Sequence, residues 1–194
     1  MCGKDYIIKG KLGATIEYIL YKNGTLHITG TGKTYSYHND GRPYLDYLPM
    51  ITDVLIDEGI TSLGEKLFIS CVNLNSVVMP DTITEIMTSV FSGCSNLGFT
   101  HLSSSLTSIG AYAFYSCTNF DTDEIPESVT TIGISAFYGN KALSITKLPS
   151  KVTSYNQTFQ GSTNVKTENI PEGVTAIGRS SFESTGIINL ELPS

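Results

Sequence analysis

Apolar positions recur along this chain in a period far longer than that of a helix or a strand. One aromatic position returns at Phe68, Phe91, Phe114, Phe137, Phe159 and Phe182, in steps of 23, 23, 23, 22 and 23 residues. A second apolar position precedes it at Leu63, Ile86, Ile109, Ile132, Tyr155 and Ile177, usually with a glycine next. A third follows it at Leu74, Leu97, Phe120, Leu143, Val165 and Ile187. Five residues further on come Met79, Leu102, Ile125, Leu148, Ile170 and Leu192, all but Leu102 followed by proline.

Internal repetition at this period predicts a repeat architecture. Each unit holds two short β-prone stretches separated by a turn around the phenylalanine, and neither stretch is long enough to bury its own apolar face. Stacking the units removes that difficulty, because every coil covers the next and equivalent side chains form ladders. With parallel strands at about 4.8 Å, six coils give a solenoid roughly 30 Å long. Strand alternation predicts an inward row at Val77, Thr100, Asp123, Thr146, Glu168 and Leu190. It predicts one outward row at Ser76, Phe99, Thr122, Ile145, Thr167 and Asn189, and another at Val78, His101, Glu124, Lys147, Asn169 and Glu191. Asp123 and Glu168 conflict with a dry core unless paired, so repeats three and five are expected to route this segment differently.

Three cysteines fall on the same beat. Cys71, Cys94 and Cys117 each stand three residues after a phenylalanine, and Asn140, Ser162 and Thr185 fill that slot in the later repeats. A metal or nucleophilic site would not fade along the chain into small polar residues. The slot is better read as a tight-turn position whose small side chain bonds neighbouring backbone, with buried free thiols rather than disulfides or ligands. No paired CxxC motif supports zinc.

The first 50 residues do not repeat. "TIEYILYKNGTLHITGTG" alternates apolar and polar positions about Asn23 and Gly24, which predicts a β-hairpin. A solenoid needs its first coil covered, and residues 1–50 are expected to be a β-rich N-terminal cap, with the repeats occupying 51–194. The chain stops at "ELPS", where a seventh coil would begin, so truncation at the C-terminus is the expectation.

Units such as "LSSSLTSIGAYAFYSCTNF" and "IPESVTTIGISAFYGNKAL" resemble the bacterial leucine-rich repeats of the BspA-like, or Treponema pallidum, type, whose pattern is "LP", "VTSIG", "AF", "C" and "NL" at about 23 residues. The resemblance runs from about Ile51 to Ser194. Repeat five is one residue short before its phenylalanine, and repeat six is one short after it. The resemblance implies a leucine-rich-repeat solenoid, mainly β with short helical or 3-10 turns and stacked parallel strands. It also implies a bacterial cell-surface or secreted location and roles in adhesion to host matrix proteins or other microbes.

Composition narrows the function classes. The net charge of −6 over 194 residues lacks the basic stripe that a nucleic-acid or anionic-membrane surface needs, and no apolar run reaches the length of a membrane helix. The start "MCGKDYIIKGKLG" shows no signal peptide. Cys2 reads either as a mature lipoprotein cysteine or as an ordinary terminal one. His27, His38 and His101 lie in different contexts without a metal motif, and neither a nucleophile elbow nor a phosphate loop is present. "DTDE" at Asp121 to Glu124 offers oxygen ligands for calcium but no EF-hand loop, so a solvated acidic patch is the simpler reading.

These readings point to a non-enzymatic binding module without cofactor, metal or catalytic residues. Its partner is a protein or glycan, including host extracellular matrix, met on the exposed strand face at Phe99, His101, Glu124, Ile145 and Lys147. The alternative is a structural spacer or scaffold within a larger surface protein.

Overall fold

A computed structural model describes residues 5–38 and 40–191; Cys2 and Leu192 lie outside the described residues. Strands β1 (Tyr6–Lys11), β2 (Ile16–Tyr21) and β3 (Thr25–Gly30) form an antiparallel meander. Alternation drives it: Ile16, Tyr18, Leu20, Leu26 and Ile28 are buried on one face. Gly24 closes the β2–β3 turn at φ +89°, and a Cβ there would press on Thr52 and the Met50 carbonyl.

The chain then begins to coil. Residues 32–33 form β4 (Gly32–Lys33), a 3-10 helix covers Leu45–Met50, and β5 (Asp53–Ile56) and β6 (Ile60–Leu63) follow. Strand β3 is antiparallel to β2 but parallel to β5, and β4 is parallel to β6. The segment from β3 to β4 therefore already occupies the place of a coil. Strand β7 (Ser76–Val78) extends the first sheet, giving the order β1-β2-β3-β5-β7. The second sheet stacks β4, β6, β8 (Glu85–Ile86), β9 (Ser108–Ile109) and β10 (Thr131–Ile132) in parallel. Strands β11 (Ser154–Tyr155) and β12 (Ala176–Ile177) pair separately.

A third wall carries the phenylalanines. Five of the six are fully buried, and Phe182 packs partly buried against them. Phe68, Phe91, Phe114, Phe137, Phe159 and Phe182 stack in sequence with centroids 5.2 to 5.7 Å apart. The backbone here is neither helix nor strand. The residues two before and two after each phenylalanine take positive φ, for example Ser89 at 57° and Gly93 at 76°. Ser or Gly fills the second of these positions in every repeat, where the left-handed region is costly for bulkier side chains. As a result every second N–H points along the stack: Ser89, Phe91 and Gly93 donate to the carbonyls of Ala111, Ala113 and Tyr115 at 2.8 to 2.9 Å, and the coils of Phe68, Phe114, Phe137 and Phe159 repeat the pattern.

Such a one-directional ladder leaves bare carbonyls at its first coil, and buried carbonyls need partners. The Tyr37 N–H reaches Glu65 O at 2.9 Å, the Tyr44 hydroxyl reaches Leu67 O at 2.6 Å, and the Arg42 guanidinium reaches Ile69 O at 2.6 Å. Tyr44 is fully buried and Arg42 nearly so.

The missing residue in repeat five is absorbed locally. Ser135 N donates to Asn156 O, a step of 21 residues instead of 22, and the second sheet is interrupted between β10 and β11.

Candidate functional site

The first sheet and its continuation across later coils present one exposed face. On this face the backbone beyond Val78 no longer forms regular strands, and further along the register changes. In the first two coils the inward residue is the third after the leading apolar position, at Val77 and Thr100; in the next three it is the second, at Thr122, Ile145 and Thr167. The bridge between Phe99 and Asp121 and the bond from Thr100 N to Asp121 O at 2.9 Å mark the slip of one residue. Five residues separate the flanking apolar anchors in every coil, so the surplus residue sits before the inward one early and after it later.

The slip corrects part of the predicted surface. Ile145, expected outside, is only 2% exposed, and Thr122 and Thr167 are buried with it. Asp123, Thr146 and Glu168, expected inside, are exposed, which removes the conflict of carboxylates in an apolar core. Repeat four shares the altered route, where the sequence pointed only to three and five. The buried threonines are satisfied locally: Thr167 Oγ1 donates to Asn169 O at 3.1 Å.

The other predicted residues are exposed. Phe99 is 58% exposed. His101 Nδ1 lies 2.9 Å from Asp123 Oδ2, Glu124 is in solvent, and Lys147 Nζ lies 2.5 Å from Glu127 Oε1. Lys147 and the Ser150 N–H and hydroxyl hold the Glu127 carboxyl down to about 2. Two residues absent from the predicted set join this face. Leu55 is 36% and Val78 58% exposed, and they face each other across the β5–β7 pair. Val78 stood in an outward row by alternation; Leu55 lies just ahead of the first complete period, where repetition gave no signal.

Shallow clefts of about 270 Å³ and 280 Å³ lie along the later coils, lined by His101, Asp123 and Glu127 in one case and Lys147, Ser150 and Asn169 in the other. Sites that enclose small molecules are usually larger and apolar. A cleft of about 470 Å³ between Lys166 and Glu191 has neither histidine nor cysteine in its lining. Each histidine pairs with a carboxylate: His27 with Asp57, His38 with Glu65, His101 with Asp123.

The acidic run does not converge on a cation. Asp121 accepts from Thr122 N, Ser144 N and Ser144 Oγ at 2.9 to 3.1 Å, while Asp123 turns to His101. Among the described residues no three His, Cys, Asp or Glu side chains gather as a metal site. Cys71, Cys94 and Cys117 are free and buried. Cys94 and Cys117 donate to the carbonyls of Phe68 and Phe91 at 3.1 and 2.9 Å, and Ser162 repeats the bond to Phe137 O at 2.6 Å. Burial pushes the Cys117 thiol up to about 12 and raises Cys94 as well; such thiols are inert.

Comparison with known proteins agrees with this architecture. The family model "BspA type Leucine rich repeat region" matches in six copies over residues 45–98 and 84–194. A leucine-rich repeat protein from Bacteroides ovatus superposes with a TM-score of 0.69 at 25% identity over 97% of this chain and 53% of its own. One from Eubacterium ventriosum gives 0.59 at 24% over 91% and 63%. A leucine rich cell surface protein from Faecalibacterium prausnitzii gives 0.52 at 20% over 99% and 56%. The chain thus spans between half and two thirds of these neighbours' lengths. No curated protein sequence matches.

Proposed function

This chain belongs to the BspA-type leucine-rich repeat family, and on that premise we propose that it is a non-enzymatic binding module of a bacterial cell-surface or secreted protein. Its fold is one used for protein–protein interaction, since stacked coils place equivalent exposed positions side by side over an extended surface. The observation that carries the reading is the exposed apolar side chains of Leu55, Val78 and Phe99 on the strand face of the first coils. Exposed apolar residues gathered inside a polar rim mark interaction surfaces. Residues 1–50 serve as the cap of the first coil, with Arg42 and Tyr44 closing its carbonyls. The ligand class is a host or microbial surface protein or glycan, and His101, Glu124 and Lys147 rim the contact.

The test is a binding screen against immobilised extracellular matrix proteins and a glycan array, with a Val78→Ser, Phe99→Ser variant run in parallel. A ligand lost in the variant supports the strand face. A ligand retained moves the site to the cap or the phenylalanine wall, and complete silence favours a spacer within a larger surface protein.

A further inference from the structure

We propose that the strand face over the first three coils docks a cationic polypeptide segment that carries apolar side chains between Lys or Arg residues, an inference that rests on the binding-module reading above. Three observations carry it.

The first is apolar. Leu55 stands between His27 and Val78 in the strand register, and Phe99 occupies, one coil on, the place that Ser76 holds beside Asp53. Leu55, Val78 and Phe99 are 36, 58 and 58% exposed, so the face offers side chains that gain by being covered.

The second is charge. Asp53, Asp57, Asp121, Asp123 and Glu124 surround these side chains, whereas residues 53–57, 76–78, 97–102 and 120–125 contain no Lys or Arg. His27 and His101 offset some of these acids, each already held on a carboxylate at 2.8 and 2.9 Å, and Lys147, beside Glu124, is itself paired with Glu127 at 2.5 Å. The lysines of the same sheet, Lys9 and Lys11, lie on β1 at its far edge, and Lys33 on the other sheet is paired with Glu85.

The third is rigidity. Asp53 accepts from Thr52 and Ser76, and Asp121 is held by Ser144 and its own following amide. These carboxylates are fixed in place, which lowers the ordering cost of binding. A complementary partner brings positive charge to the rim and apolar side chains to the centre.

Fluorescence anisotropy with three labelled peptides of equal length tests this: alternating Lys–Leu, alternating Lys–Ser and alternating Glu–Leu. The full chain is compared with Val78→Ser, Phe99→Ser and with Asp57→Asn, Asp123→Asn, each first checked for native circular dichroism. Lys–Leu is expected to bind the parent, to weaken about tenfold in the apolar variant and about threefold in the carboxylate variant, and to lose affinity with added salt. Equal binding of Lys–Ser, or Lys–Leu binding unchanged in both variants, overturns the proposal. Glu–Leu binding that disappears in the apolar variant overturns the partner's charge but keeps the strand face as a binding surface. If no peptide binds, the proposal fails, while the binding-module reading stands or falls on the matrix and glycan screen.

Discussion

The phenylalanine wall and the strand wall are built from the same repeats, yet one is almost invariant and the other changes course midway. Along the first, phenylalanines stack at nearly constant separation and the same three amides donate to the next coil each time. Along the second, the inward residue moves from Thr100 to Thr122 by one place, and Phe99 and Ile145 occupy matching sequence positions with opposite burial. The difference lies in what each wall must satisfy. A close-packed aromatic column with backbone bonds on both sides tolerates no shift. A strand segment anchored at its two ends has a spare residue to place on either side, so the identity of the exposed side chains changes from coil to coil.

The strongest way to break the invariant wall is Phe114→Ala. Phe114 stacks on Phe91, Phe120 and Phe137, so truncation is expected to cost about 3–5 kcal/mol, read from urea denaturation. The end of the same wall is tested by Tyr44→Phe, which leaves Leu67 O without its hydroxyl donor. That loss is expected to cost about 1–3 kcal/mol, while an exposed strand-face change such as Phe99→Ser stays within about 0.5 kcal/mol.

Asn140 sharpens the comparison from the other direction. It fills the cysteine slot fully buried, with both amide atoms lacking partners. Asn140→Cys restores a small donor toward the Phe114 carbonyl, as Cys117 serves Phe91, and is expected to raise stability by about 1 kcal/mol in the same assay.

The smallest effect belongs to the strand side. The Glu127 carboxyl, normally near 4.5, is held at about 2 by Lys147 and Ser150. A depressed carboxylate stabilises the fold above its unfolded value, and that contribution is lost as pH falls through the folded one. Thermal melts of parent and Glu127→Gln should therefore differ slightly at neutral pH, and the gap should close between pH 4.5 and about 2.

Most of the solenoid is legible in the chain because its ladders repeat the same residue types at one period. The phenylalanine, Ile-Gly and cysteine slots were all readable in that way, and the carbonyl bonds of Cys94 and Cys117 match the role expected of a small polar slot. The strand register is not legible from a fixed offset, since both routes place the same apolar anchors five residues apart. The available signal was Ile145 itself, an apolar residue at the second position beside Asp123 and Glu168 at the third. The capping roles of Arg42 and Tyr44 were hidden for a different reason. They answer carbonyls 23 and 27 residues away, which no local pattern reports.

The register slip is the point at which the whole account meets measurement most directly. Aspartate placed at Thr100, Phe99, Ile145 and Thr146 in turn, followed by urea denaturation, separates inward from outward positions on either side of the slip. Thr100→Asp and Ile145→Asp bury an unpaired charge and are expected to destabilise by several kcal/mol or to prevent folding. Phe99→Asp and Thr146→Asp are expected to stay within about 0.5 kcal/mol of the parent. A Thr146→Asp variant less stable than Ile145→Asp would show that repeat four keeps the register of repeat two, and would contradict the account.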